Sequence, residues 1–150
     1  MKYEWGKYTW YLFHALAEKM NDKYFDKAYV KIIDWVKLIC FNLPCPYCSE
    51  HATRLLNNYK LYNKIKNKEN LKQFFFEFHN IVNKKTKKTL EETEILNKYK
   101  DINFNKLLIL WNEHFILNIH DLHYFKKKND ILLFKKKLLY DINKNRYLFT

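Results

Sequence analysis

The amino-acid sequence predicts an all-α protein: a four-helix bundle with a short fifth helix, followed by a C-terminal helical extension. Its 150 residues include one glycine and two prolines, so the residues that hairpin turns require are almost absent. Apolar residues make up 48% of the chain and recur at helical intervals. At this length we expect one compact domain over residues 1–100 and a helical extension over 101–150.

The first two helices are predicted from the spacing of apolar residues. A stripe that includes Trp10 and Phe13 predicts a helix over about 5–20. The same spacing predicts a second helix over about 25–42, which Pro44 should end because proline disfavours helical backbone before it.

A third helix should begin at Pro46, since the missing N–H of proline costs nothing at the first helical position. Cys45 would then be the N-cap residue, and Cys48 would lie in the first turn. The apolar stripe of this helix continues to Tyr62. A fourth helix is predicted over about 69–86.

Three further stretches complete the predicted helices. Thr89 can cap a short helix over 90–100, and Asn103 or Asn105 can start another. A last amphipathic stretch covers 131–142, and we expect it to pack with its predecessor as an added helical pair.

Composition limits the class of protein. The formal charge of +12 favours contact with nucleic acid, acidic protein or cofactor phosphates without choosing among them. Three cysteines do not make a disulfide scaffold, and no apolar run approaches the ~20 residues of a membrane span. The first residues lack the apolar region of a signal peptide, so we expect a soluble protein that is not secreted.

Cys45 and Cys48 form a Cys-x-x-Cys pair at the predicted start of a helix. The free N–H groups and the dipole of a helix N-terminus stabilise a thiolate, and two cysteines at this spacing can close a disulfide. This favours redox chemistry. A zinc half-site is the alternative, although zinc needs four ligands and the only other cysteine is Cys40.

Polar residues on the inner faces of three predicted helices suggest a bound ligand. His14, His51 and His79 lie on or beside apolar stripes, and any one of them alone would be read as a core histidine. Together with Asn80 and Asn83 around a dithiol, they suggest a flat polar ligand held between helices. The lysine-rich run 84–88 is either a solvated helix end or a binding site for a pyrophosphate.

Three motifs in this order are similar to those of one known family. They are Trp5-Gly6-x-x-x-Trp10-x-x-Phe13-His14, then Cys45-x-x-Cys48-x-x-His51, then His79-Asn80-x-Val82-Asn83-Lys84 with Lys88. They resemble the Erv/ALR family of flavin-linked sulfhydryl oxidases, in the compact form found in large DNA viruses. The resemblance covers about residues 3–100.

The resemblance implies a helical bundle that binds FAD without a covalent bond, usually as a homodimer. The implied reaction oxidises protein dithiols to disulfides and passes the electrons to dioxygen, giving hydrogen peroxide. Cys45 would exchange with the incoming thiol, and Cys48 would face the isoalloxazine ring. The residues that match positions around the FAD are Gly6, Lys7, Trp10, His14, His51, His79, Asn80, Val82, Asn83, Lys84 and Lys88.

Longer family members carry a second, shuttle cysteine pair, whereas this chain has only Cys40, which we expect to be a buried inert thiol. Electrons would then come directly from a dithiol protein or a thioredoxin-like donor. If the chain is viral, the implied location is the host cytoplasm, the virus assembly site or the virion. The main rival function is a basic helical nucleic-acid-binding protein, in which the dithiol would be incidental.

Overall fold

The computed structural model describes residues 4–116 and 125–149, and these residues are mostly helical. The helices are α1 (Trp5–Lys19), α2 (Phe25–Phe41), α3 (Pro46–Leu56), α4 (Tyr59–Tyr62), α5 (Lys68–Lys85), α6 (Phe104–His114) and α7 (Phe125–Lys144). Short 3₁₀ helices cover Asp22–Tyr24, Thr93–Asp101 and Arg146–Leu148. In the described ranges, extended backbone pairs only in an isolated bridge between Met20 and Phe149. The all-α prediction is confirmed.

Helix α1 lies at the centre of the molecule. Every residue from Leu12 to Ala17 is buried, which means that neighbouring elements cover this part of the helix on all sides. Its main neighbours are α5, α6 and the 3₁₀ helix Thr93–Asp101. Side chains of α1 are therefore held in fixed positions relative to three other elements.

Helix α3 starts as the sequence predicts. Pro46 occupies its first position, and the backbone N–H of Cys48 donates to Cys45 Sγ at 3.2 Å. The predicted continuation to Tyr62 is wrong, because α3 ends at Leu56. The side chain of Asn58 accepts from the Lys60 N–H at 3.1 Å and begins the separate helix α4, so an asparagine side chain replaces the helical hydrogen-bond pattern here.

The segment after α5 also differs from the prediction. Thr89 does not cap a helix over 90–100, and the chain instead forms the 3₁₀ helix Thr93–Asp101. Both backbone polar groups of Glu91 bond to the side chain of Asn80, the carbonyl at 3.0 Å and the N–H at 2.8 Å. Because these groups are taken by a side chain, they are not available to a helix starting at residue 90.

The C-terminal helices share the core of the bundle. Asn103 caps α6 by accepting from the Lys106 N–H at 3.0 Å, as one of the two predicted starts. One continuous cluster of buried residues includes Leu12 and Leu16 of α1 together with Leu107, Trp111, Ile131, Leu138 and Ile142. The division at residues 100 and 101 stays a prediction. No helix of the described ranges is both long and apolar enough to cross a membrane.

Candidate active site

A cavity of about 640 Å³ lies between α1, α3, α5 and the 3₁₀ helix Thr93–Asp101. This volume is within the range of cofactor pockets, and most of the wall is apolar or aromatic. The predicted cofactor-binding residues that line it are Gly6, Lys7, Trp10, His51, His79, Val82, Asn83 and Lys88. The fold therefore brings residues of all three sequence motifs to one pocket.

Cys45 and Cys48 form a disulfide at the mouth of the cavity, with their Cα atoms 5.2 Å apart. Both residues are half-buried. Cys48 lines the cavity, whereas Cys45 is not among the lining residues. Since the pair is at the start of α3, a thiolate released from the disulfide would lie near free helical N–H groups.

His79 lines the cavity and is in contact with His14, which does not line it. Nε2 of His14 and Nδ1 of His79 are 3.0 Å apart and share one hydrogen bond. The indole of Trp10 stacks on His79 with ring centres 4.1 Å apart and planes 10° from parallel. Tyr99 stacks on His14 with ring centres 4.7 Å apart. We refer to Trp10, His14, His79 and Tyr99 as the histidine wall.

The histidine pair is neutral at pH 7. Burial lowers the pKa of His14, and the nearby His79 and Lys98 lower it further. Burial likewise lowers the pKa of His79, with added repulsion from Lys98 and Lys88. In a neutral pair one ring nitrogen donates and the other accepts, and the tautomers of the two rings decide which is the donor.

Three predicted cofactor-binding residues do not line the cavity. His14 does not line the cavity but contacts two residues that do, His79 and Tyr99. Asn80 holds the backbone of Glu91, as described above. Lys84 is exposed near the end of α5. Direct contact of these three residues with a cofactor stays a prediction.

Several lining residues were not identified from the sequence. Lys98 and Tyr99 enter the cavity from the 3₁₀ helix, and Tyr11 enters it from α1. The Lys98 Nζ atom lies 4.5 Å from the centre of the Tyr11 ring. In the segment that carries Lys98 and Tyr99, Ile95 and Leu96 stand four and three residues before Tyr99, and this helical spacing is a signal that could have pointed Tyr99 inward. No comparable pattern marks Lys98.

Cys40 also lines the cavity, although it is almost fully buried and is the free cysteine of the described residues. Burial raises the pKa of its thiol strongly, so the sulfur stays protonated and is a poor nucleophile. The expectation of a buried thiol is confirmed.

The chemistry of the cavity fits a ligand with a flat ring and an anionic group. Stacked aromatic rings suit the ring, and Lys7, Lys88 and Lys98 supply positive charge among the lining residues. Within the described residues, no group of three or more His, Cys, Asp or Glu side chains could hold a metal ion.

Comparison of the sequence with known proteins gives matches to one family and to proteins of large DNA viruses. The model of the Erv1/Alr family matches residues 7–103. An FAD-linked sulfhydryl oxidase of African swine fever virus (isolate Tick/Malawi/Lil 20-1/1983) is 31% identical over 104 residues, which are 69% of this chain and 86% of that protein. The putative FAD-linked sulfhydryl oxidase 096R of Invertebrate iridescent virus 3 is 29% identical over 97 residues, 64% of this chain and 66% of that protein. No solved structure matches the chain.

Proposed function

This chain belongs to the Erv1/Alr family, and we propose that Cys45 and Cys48 are the redox pair through which it oxidises protein dithiols. The chain is an FAD-linked thiol oxidase, as its family and its viral relatives indicate. The observation that carries the proposal is the arrangement of the disulfide: one sulfur belongs to a residue of the cavity wall, and the other belongs to a residue outside it.

The residues of the cavity fit FAD. Trp10 and His79 offer stacked rings beside which a flat ring system can lie, and Lys7, Lys88 and Lys98 can neutralise its phosphates. The bound FAD supplies the electron transfer from the cysteine pair to dioxygen, which gives hydrogen peroxide. The chain itself contributes binding, orientation and the dithiol.

Disulfide exchange accounts for the first half of the reaction. A substrate thiolate attacks Cys45 Sγ, the Cys45–Cys48 bond breaks, and Cys48 leaves as a thiolate. The second substrate thiolate then attacks the mixed disulfide and releases Cys45. The substrate has lost two electrons and gained a disulfide, and the reduced pair holds those electrons next to the cavity that Cys48 lines.

Three finer points belong to the same proposal. The electron donor is a dithiol protein or a thioredoxin-like protein that reaches Cys45 directly, because the remaining cysteine, Cys40, is buried. The chain works as a homodimer. Its site of action is the host cytoplasm or the place of virus assembly, in keeping with relatives from two kinds of virus.

Spectroscopy of the purified protein tests this proposal. The protein is expected to be yellow, with a flavin absorbance band that a dithiol bleaches without oxygen and that returns, with release of hydrogen peroxide, when air is admitted. A protein that takes up no flavin, or whose flavin band a dithiol leaves unchanged, would refute it. Steeply salt-dependent DNA binding by a colourless protein would favour the nucleic-acid-binding alternative.

A further inference from the structure

The hydrogen bond between His14 and His79 can form with its proton on either ring. In the first arrangement Nε2 of His14 donates to Nδ1 of His79, and in the second Nδ1 of His79 donates to Nε2 of His14. Both rings are neutral at pH 7, because burial lowers the pKa of each. A neutral imidazole carries one proton, so the direction of this bond also decides whether the other nitrogen of each ring is a donor or an acceptor.

The other nitrogen of His14, Nδ1, is enclosed by the protein. His14 is 2% exposed, and among the described residues its Nδ1 atom has no hydrogen-bond partner. This atom is a bare lone pair in the first arrangement and an N–H group in the second. A buried N–H group without a partner is rarer in proteins than a buried acceptor without one. The surroundings of His14 therefore favour the first arrangement.

The other nitrogen of His79, Nε2, is open to the cavity. His79 lines the cavity, whereas His14 does not. None of the described residues forms a hydrogen bond with Nε2 of His79, yet this atom is not among the enclosed polar atoms that lack a partner. It is therefore accessible, and the first arrangement places a proton on it.

We propose that His14 is a positioning residue that holds His79 in its Nε2–H tautomer, so that His79 donates a hydrogen bond to an acceptor atom of the bound FAD. This inference rests on the part of the proposed function that places FAD in the cavity. FAD offers ring nitrogens, carbonyl oxygens and phosphate oxygens as acceptors. The opposite tautomer of His79 would present a lone pair to the same atom and repel it. Trp10 stacks on His79 and Tyr99 stacks on His14, which fixes the orientation of both rings.

Nitrogen NMR of protein isotopically labelled in its histidine rings tests the tautomers directly. Protonated and unprotonated ring nitrogens have well-separated chemical shifts, and through-bond correlation to the backbone assigns each of the six histidines without any substitution. In the FAD-loaded wild type at pH 7 we expect a proton on Nε2 of both His14 and His79 and none on Nδ1 of either. The Nε2 signal of His79 should also differ between the FAD-loaded and the flavin-free protein. A proton on Nδ1 of either ring, or a His79 signal that FAD leaves unchanged, overturns the inference.

A double-mutant cycle tests whether His14 acts through His79. His14→Met replaces the donor by a thioether that can only accept, so part of the His79 proton should move to Nδ1 in the flavin-free protein, and the Kd for FAD should rise about threefold. His79→Phe keeps a ring beside Trp10 but has no N–H, and should raise the Kd about tenfold. In the His79→Phe background, His14→Met should change the Kd by less than about twofold. An equal effect in both backgrounds would show that His14 only supports the fold and would overturn its positioning role.

Leu16→Val is the matched control for lost stability. Leu16 is fully buried on the same helix as His14 and does not line the cavity. This variant should lower the melting temperature and leave both the His79 tautomer and the Kd for FAD unchanged. If His14→Met does not fold, the NMR measurement on the wild type still decides the inference.

Failure of the proposed function is distinguishable from failure of this inference. A flavin band that a dithiol does not bleach, in a protein whose histidine protons lie as expected, refutes the role of the cysteine pair alone. A band that is bleached, in a protein with a proton on Nδ1 of His79, refutes the inference alone. A protein that takes up no FAD refutes both.

Discussion

The histidine wall and the disulfide both contribute residues to one cavity, yet they differ in burial, charge and access. The wall consists of stacked rings, and its two histidines are buried and neutral. The mouth is half-buried, with an exposed Tyr47 between its cysteines. A cofactor is held best by preorganised and dry surroundings, whereas disulfide exchange needs an attackable sulfur, so a thiol oxidase requires both kinds of surface.

The largest expected effect on activity comes from removing the thiol of Cys48, the cysteine that lines the cavity. Cys48→Ser should bring dithiol oxidation down to background, because no second thiol remains to reform the disulfide. The flavin band should remain, since the histidine wall is intact. Steady-state peroxide release and the absorbance spectrum of the same sample check both statements. An active Cys48→Ser protein would remove the cysteine pair from the mechanism.

A pair of histidine substitutions compares the two surfaces directly. His79→Ala removes the stack with Trp10 and leaves His14 Nε2 buried without its partner, at a cost of about 1–3 kcal/mol in the free energy of unfolding. The flavin content of the purified His79→Ala protein should also fall. His51→Ala, at the half-buried edge of the mouth, should cost less than half as much. Urea unfolding and flavin titration of both proteins measure the difference, and equal losses would show that the wall is not the more constrained surface.

Acid should destabilise the folded protein through the two histidines of the histidine wall. The pKa values of His14 and His79 are lowered in the folded protein, so the unfolded chain binds more protons below pH 6.5. The free energy of unfolding should therefore fall as pH drops below 6.5, by up to about 1.4 kcal/mol per pH unit for each histidine. Unfolding by urea between pH 7 and pH 5 measures this slope. A His14→Gln, His79→Gln double variant should have a smaller slope, and an equal slope would assign the acid sensitivity to other groups.

The smallest expected effect on flavin binding comes from removing a hydrogen bond between α1 and α6. The Trp111 indole N–H donates to the Thr9 hydroxyl at 3.2 Å, and this buried bond joins α6 to the helix that carries Trp10 and His14. Trp111→Phe should lower the free energy of unfolding by more than the about 1 kcal/mol of the hydrogen bond, because the smaller ring leaves a cavity at a fully buried position, and it should cause a modest loss of flavin affinity. Thr9→Val removes the same bond from the other side and is the control for the free energy of unfolding; because Thr9 lines the cavity, flavin affinity is compared only between Trp111→Phe and the wild type. If the C-terminal extension does not support the wall, Trp111→Phe will leave flavin affinity unchanged.

Local features of the molecule followed from the sequence. The start of α3 at Pro46, the capping roles of Cys45 and Asn103, and the extents of α1, α2 and α5 depend on residues a few positions apart. Helical periodicity and capping act over these short distances, so they can be read from the chain. The breaks that the sequence did not predict, at Asn58 and before Thr93, involve side chains that compete with the backbone for hydrogen bonds.

The sequence by itself placed two cysteines at a helix start and histidines on inner faces, because spacing along a helix fixes those positions. Only the tertiary structure decided that His14 meets His79 across 65 residues of sequence and that Lys98 and Tyr99 enter the cavity. These relations depend on how helices pack, and packing is set by the whole core rather than by neighbours in the chain.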